Sequence, residues 1–213
     1  EGMEDRFEHL PLECSHLYLA IEGKLAAVIC VEDPLREEAA DAVRELKEAG
    51  ITKVVMMTGD SERTAAAIAK RVGVDEYYSE VLPEDKASFV EKEKELGHKV
   101  IMIGDGINDS LALSSASVGI AISDGAAIAR EIADVTISAD NLHEIVTLKR
   151  LSTALMKRIH NNYRTIIGIN GGLIALGVTG IIMPTTSALL HNMSTLTISL
   201  RSMRNLLPKE EEA

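Results

Sequence analysis

The sequence predicts an α/β protein with a parallel, Rossmann-like sheet, followed by an α-helical membrane hairpin. Three observations predict it. First, short apolar runs rich in β-branched residues alternate with stretches of helical period through about residue 137. Second, the apolar run from Lys99 to Ile103 leads directly into Gly104-Asp105-Gly106-Ile107-Asn108-Asp109, so polar groups fall on a tight turn at the end of a buried strand. In open α/β sheets that end is where ligands bind. Third, Thr165 to Met183 carries no charge at all, and that length suits the roughly 20 residues of a membrane helix.

The elements follow in order. Glu1 to Ser15 is charged and lacks clear periodicity. His16 to Ile21 and Leu25 to Val31 flank Glu22-Gly23-Lys24 and read as a hairpin. Asp33-Pro34-Leu35-Arg36 stops the second strand, because proline cannot donate to a ladder. Glu37 to Ala49 is an amphipathic helix with Ala39, Ala42, Val43 and Leu46 on one face, and Gly50 ends it. Val54 to Met57 is a buried strand that runs into Thr58-Gly59-Asp60. Glu62 to Val72 is helical, with Asp60 or Ser61 as its cap and Gly73 beyond its end. Pro83-Glu84-Asp85-Lys86 opens a helix that runs from about Lys86 to Leu96. After the central strand and turn come a small helix-compatible stretch, Ser110 to Ser117, the strands Val118 to Ile122 and Val135 to Ile137, and a helix near Ala126 to Ile132 between those strands.

Composition narrows the function. Lys+Arg is 22 against 33 Asp+Glu, a formal net charge of -11, which argues against a nucleic-acid partner. Trp is absent and aromatics are 3%, so no platform for stacking bases is evident. Cys14 and Cys30 stand too far apart for a Cys-x-x-Cys pair and make no disulfide framework, so a reducing cytosolic face is expected. The acidic start has no basic region followed by an apolar one, so no signal peptide is expected, and the absence of an initiator Met hints at a piece of something longer.

After Asn141 the composition shifts. Leu142 to Tyr163 reads as a long helix bearing Lys149, Arg150, Lys157 and Arg158. Thr165 to Met183 is uncharged, Pro184-Thr185-Thr186 is a short break, and Ser187 to Leu200 is uncharged again before Arg201 and Arg204. Basic flanks on the outer sides of two such runs favour a hairpin with both flanks cytoplasmic. A central Lys or Arg would cost roughly 2.5–3.5 kcal/mol on the insertion scale, and neither run has one. The second run holds His191, Asn192, Ser194 and Thr195 and would need protein neighbours to insert. A pair of soluble core helices is the plainer alternative.

Three polar constellations remain: Thr58-Gly59-Asp60, Lys86, and Asp105 with Asn108 and Asp109. Each has an ordinary reading as a helix cap or a solvated first-turn residue. Together they match the needs of phosphoryl transfer: donors for phosphoryl oxygens, a cation, and oxygen ligands for Mg²⁺. A calcium loop of the EF-hand type fits poorly, because the alternating acidic positions and the distal Glu are missing.

Thr58-Gly59-Asp60, Leu82-Pro83-Glu84-Asp85-Lys86 and Gly104-Asp105-Gly106-Ile107-Asn108-Asp109 resemble successive motifs of P-type ATPases, members of the haloacid-dehalogenase-like superfamily. Asp33-Pro34-Leu35-Arg36 is similar to that family's hinge motif, and the similarity runs from about Leu17 to Leu207, toward the heavy-metal-transporting branch. The resemblance implies a haloacid-dehalogenase-like sheet. Thr58 and Gly59 would bind a phosphoryl group with Asp60 beside them, and Lys86 would neutralise it. Asp105 and Asp109 would serve Mg²⁺, with Asn108 orienting metal and phosphoryl group. It also implies ATP, bound mainly by a segment upstream, and an activity coupling ATP hydrolysis to metal-ion translocation. The organisation implied is 1–32 as the tail of a nucleotide-binding domain, 33–141 as a phosphorylation domain, 142–164 as a cytoplasmic linking helix, and 165–207 as two transmembrane helices.

One departure stands out. The family's nucleophile is the Asp of an Asp-Lys-Thr-Gly-Thr motif, and this sequence has none. The nucleophile strand would lie between the strands Val54–Met57 and Val100–Ile103. Without it two buried strand edges are left unpaired, each lost backbone hydrogen bond costing on the order of 1–3 kcal/mol. The chain by itself is therefore expected to be inactive toward ATP and to depend on upstream segments of the same transporter. On the ion side, His191-Asn192-Met193-Ser194-Thr195 resembles a His-containing motif of a cobalt-, iron- or zinc-associated subgroup. An imidazole suits Zn, Cu, Fe and Ni. Copper is less favoured because no Cys-rich binding segment is visible, so a cation of the Zn, Co, Fe or Ni class is expected, Asn170 could add an oxygen, and the lipid bilayer is the other expected partner. Hydrogen bonding between helices is the alternative role for these polar residues. For the chain as a whole the alternatives are a non-catalytic membrane subunit or pseudo-enzyme, and a stand-alone phosphatase.

Overall fold

The computed structural model describes residues 15–31, 35–104, 107–122, 127–137 and 141–207. The chain divides into two compact units, Glu1–Val146 and Thr147–Ala213.

The first unit opens with an antiparallel hairpin, β1 (Ser15–Ile21) and β2 (Lys24–Val31). Its turn places Glu22 at φ 51° and Gly23 at φ 75°. Two consecutive left-handed residues match the right-handed twist of a two-residue hairpin, and glycine takes the second position without strain. Of the hinge-like stretch, Asp33 and Pro34 lie outside the described residues.

Next come parallel βα units. Helix α1 (Ala39–Glu48) buries Ala39 and Ala42. Strand β3 (Val55–Met57) is followed by α2 (Glu62–Val72), where Ser61 Oγ accepts from the Thr64 N–H and Gly73 ends the helix at φ 79°. The expected cap residue and glycine stop are thus both found. A strand that periodicity does not reveal, β4 (Glu76–Tyr78), lies parallel to β3 with Met56 opposite Tyr77. Helix α3 (Pro83–Glu95) starts three residues earlier than Lys86, with Pro83 in its first turn and Asp85 Oδ2 accepting from the Leu82 N–H.

Strand β5 (Ile101–Gly104), a short 3-10 turn (Ile107–Asp109), α4 (Ser110–Ser115), β6 (Val118–Ile122), α5 (Ala127–Ile132) and β7 (Val135–Ile137) complete the unit. The strands β5, β6 and β7 form one parallel sheet in that order. Among the described residues β3 pairs only with β4, and β5 only with β6, so the parallel strands form two separate sheets. A single core nonetheless reaches both. Ala87 and Val90 of α3, Met102 of β5, Ala112 and Leu113 of α4 and Ala121 of β6 are buried together, and Met57 at the end of β3 packs against them. Burial of a side chain of this size contributes about 1.5–3 kcal/mol.

The second unit holds most of α6 (His143–Val178, 36 residues) and all of α7 (Pro184–Ser202). Helix α6 runs without interruption through residue 164/165, where the sequence changes from charged to apolar. It ends at Val178, short of Met183, where Gly180 turns left-handed at φ 75°. Helices α6 and α7 pack antiparallel, with Asn162 Nδ2 donating to Ser202 Oγ at 2.7 Å near one end and His191 Nδ1 2.8 Å from Asn170 Oδ1 near the other. No helix among the described residues is long and apolar enough to cross a membrane. Glycines and Asn170 dilute α6, hydroxyls and His191 dilute α7, and Ile181 to Met183 fall outside both helices. Yet α7 has no buried residue, and Val178, Met183, Leu189, Leu196 and Leu200 are all exposed.

Candidate functional site

Polar groups gather where the parallel strands of the first unit end. Lys86, in the first turn of α3, donates from Nζ to Asp109 Oδ1 at 2.8 Å. Their side chains are only 15% and 11% exposed, so this is an ion pair largely withdrawn from water. The two residues are 23 apart in sequence and meet because α3 and α4 pack against the same core. Asp109 also fixes Gly104: a Cβ at that position would sit 2.6 Å from Asp109 Cβ and 2.8 Å from Oδ2. The sequence suggests a glycine needed for a sharp turn. Gly104 is instead the last residue of β5 and is not among the positive-φ glycines. What it supplies is room for the Asp109 carboxylate.

Thr58 follows Met57 directly, so the end of β3 is tied to this core through its neighbour. The Thr58 hydroxyl accepts from the Asp60 N–H at 3.1 Å and donates to Asp60 Oδ2 at 2.7 Å. The pair closes a tight turn that leaves the intervening Gly59 N–H without a partner among the described residues. Gly59 and Asp60 are exposed and Thr58 is half-buried. Asn108 is exposed on the 3-10 turn. Asp105 lies outside the described residues.

A brace missed by the sequence reading supports the Thr58 turn. Glu62, at the start of α2, accepts from Tyr77 Oη at 2.8 Å and Ser79 Oγ at 2.5 Å. These bonds, Ser79 foremost, hold its carboxyl below the usual range, and the Tyr77 hydroxyl is pushed up in turn by Glu62. Glu80 then donates from its N–H to the Asp60 carbonyl at 2.9 Å, and Val81 to that of Thr58 at 3.0 Å. The only trace in the sequence is an acidic residue one position after a cap.

On the ion side, His191 and Asn170 are brought together, and both line an open groove of about 620 Å³ with Leu173, Gly177, Pro184 and Ser187. Asn192 lines it too. Ser194 and Thr195 turn elsewhere: their hydroxyls donate to the His191 carbonyl at 2.8 and 3.0 Å, within their own helix. Such back-bonding is what hydroxyl residues do in a helix interior. No group of three or more His, Cys, Asp or Glu side chains converges among the described residues.

Parallel βα units with polar groups following β3 and β5 define an α/β domain of the open-sheet class, in which that end of the strands is where ligands bind. The chain belongs to the haloacid dehalogenase-like hydrolases, whose family profile matches residues 2–117. Its relatives are heavy-metal P-type ATPases. A zinc-exporting P-type ATPase of Mycobacterium marinum is 37% identical over 189 residues, which is 88% of this chain and 26% of the relative. Copper-transporting ATPase 2 of Rhizobium meliloti is 44% identical over 176 residues, 83% of this chain and 21% of the relative. The crystal structure of a zinc-transporting PIB-type ATPase in its E2.Pi state matches with a TM-score of 0.83 at 30% identity, over 97% of this chain and 33% of that one. The chain thus spans about a quarter of the curated relatives it matches. Their names differ in metal, so the expected Zn, Co, Fe or Ni class is not singled out, and copper, which the lack of a Cys-rich segment disfavours, is among the metals named.

Proposed function

We propose that this chain is the phosphoryl-handling part of the phosphorylation domain, together with ion-path helices, of an ATP-driven transition-metal transporter. The observation that carries the reading is the Lys86–Asp109 pair at the strand ends. A cation and a carboxylate are held there in a poorly hydrated place, where charge acts strongly on a phosphoryl group. Thr58 and the Gly59 N–H, which has no partner among the described residues, add donors for phosphoryl oxygens, and Asp60 holds the Thr58 hydroxyl until a stronger acceptor arrives. The carboxylates of Asp109 and Asp105 suit Mg²⁺, a hard cation that takes oxygen ligands, with Asn108 as a nearby orienting amide. Bound there, Mg²⁺ would offset charge on the phosphoryl oxygens.

The division into β3–β4 and β5–β6–β7 supports a domain that lacks one strand. A strand from an upstream segment, carrying the nucleophilic Asp, would pair with the free edges of β3 and β5 and join the two sheets. ATP would be held mainly by that upstream part, to which residues 1–32 contribute a tail. Residues 33–141 then form the phosphorylation domain on the cytoplasmic side, and 142–164 link it to a membrane hairpin within 165–207. The exposed apolar side chains of α7 support a bilayer setting. The polar content of both helices calls for further helices around them. His191, with Asn192 beside it, would meet the transported cation, a transition metal of the kind imidazole suits, with the Zn, Co, Fe or Ni class favoured over copper for want of a Cys-rich segment. One imidazole does not make a site, so the remaining ligands would come from upstream helices.

The test is phosphoenzyme formation. The chain joined to an upstream segment containing Asp-Lys-Thr-Gly-Thr should take up the γ-phosphate of ATP in a metal-dependent way, and Lys86→Ala should lower this strongly. The chain alone should take up none. Turnover of ATP by the chain alone would remove the reading.

A further inference from the structure

Resting on the reading of His191 as a ligand of the transported cation, the geometry points to Asn170 as a positioning residue that fixes the His191 tautomer, leaving Nε2 as the one ligating atom and Asn170 outside the coordination sphere. His191 Nδ1 stands 2.8 Å from Asn170 Oδ1. An amide oxygen only accepts, so the proton of this hydrogen bond belongs to Nδ1. Neutral imidazole carries a single N–H, and Nε2 is then a bare lone pair. Metal-ligating histidines generally donate their other ring N–H to an acceptor, which sets ring orientation and raises ligand basicity.

Among the described residues Asn170 is the side chain hydrogen-bonded to the His191 ring. Ser194 and Thr195 are spent on the His191 carbonyl. Asn170 is half-buried on α6 and His191 is exposed on α7. Bonding to the ring takes one of the two lone pairs of the Asn170 oxygen and holds that atom against Nδ1, and a neutral oxygen is also a harder donor than a borderline cation such as Zn²⁺ prefers beside imidazole. The groove between α6 and α7 gives the Nε2 side of the ring access to a cation.

The test is 15N NMR, in detergent micelles with 15N-labelled histidine, of the chain joined to the upstream membrane segment that supplies the remaining ligands. The His191 signals are assigned by their loss in His191→Gln, and Zn²⁺ alone is the probe. The expected wild-type spectrum without metal has a protonated Nδ1 and a bare Nε2, and Zn²⁺ moves the Nε2 signal. Asn170→Leu should mix the tautomers and weaken Zn²⁺ binding at His191 by about 10–100-fold. Asn170→Asp, which keeps the acceptor, should restore both, and equal helical content by circular dichroism shows that the variants fold. A proton on Nε2 in the wild type, or an unchanged tautomer in Asn170→Leu, overturns the positioning role even if Zn²⁺ still perturbs His191. If the tautomer is fixed as expected but Zn²⁺ leaves His191 untouched, the cation-ligand reading itself fails and this inference goes with it.

Discussion

The Cβ that Gly104 lacks would stand 2.6 Å from the Cβ of Asp109. That atom is the root of a short side chain, not the tip of a flexible one. Gly104→Ala must therefore shift Asp109 or the backbone of β5. Overpacking of this kind typically costs about 1–3 kcal/mol. The shift would also draw Asp109 Oδ1 away from Lys86. Chemical denaturation should show lower stability, and in the chain joined to the upstream segment proposed to carry the nucleophile, Gly104→Ala should slow phosphoenzyme formation. A variant as stable and as active as wild type would mean that the strand end has slack it does not show.

Lys86 and Asp109 should be strongly coupled. Each side chain keeps less than a sixth of its exposure, so removing one partner leaves a poorly hydrated charge. Lys86→Met should cost about 3 kcal/mol and Asp109→Asn a comparable amount. The double variant should cost clearly less than the sum of the two, because neither charge is then stranded. A double-mutant cycle by urea unfolding reads this directly. Additive losses would show that the pair is no more than a surface contact.

The contrast between these two residues and their neighbours explains what the sequence could and could not reveal. Helix α2 was readable end to end, since Ser61 and Gly73 are local signals. The Lys86–Asp109 meeting was foreseeable only as motifs sharing strand ends, because the contact depends on how α3 and α4 pack. Strand β4 has three residues, too few to show a period, and is recognised only by its pairing with β3. The continuity of α6 was hidden by its change of composition. Charged at one end and apolar at the other, it reads as two objects, although the backbone ladder does not respond to that change.

The brace around the start of β3 should make stability depend on acid pH. Asp75 bonds Lys47 Nζ at 2.8 Å and accepts from the Val54 N–H at 2.8 Å. Lys47 first and Val54 second hold its carboxyl below the usual carboxylate range, and Glu62 is lowered by Ser79 and Tyr77. For a group lowered in the folded state, the stabilisation is full above the unfolded value and is lost as pH falls through the folded one. Stability should therefore decline as pH drops below about 4. Asp75→Asn should be less stable at neutral pH and show a shallower acid decline. Parallel pH profiles for the variant and wild type would rule the brace out.

Arg158 should hold the end of α7. Its Nη1 donates to the carbonyls of Ser202 and Arg204, and its Nη2 to that of Asn205. The last carbonyls of a helix have no partner within it, and a cation beside them also suits the negative end of the helix dipole. A guanidinium fork reaches several acceptors at once where a lysine ammonium acts as a point charge. Arg158→Ala should therefore loosen the last turn of α7, and Arg158→Lys should recover only part of it. Hydrogen exchange reads this locally: amides around Met203 to Asn205 should exchange about 10-fold faster in Arg158→Ala, as the loss of a charged hydrogen bond worth about 1.5 kcal/mol implies. Because Asn162–Ser202 and Asn170–His191 lie along the same helix pair, the loosening should fade toward His191. Uniform exchange along all of α7 would show instead that the guanidinium holds nothing that lipid or solvent does not.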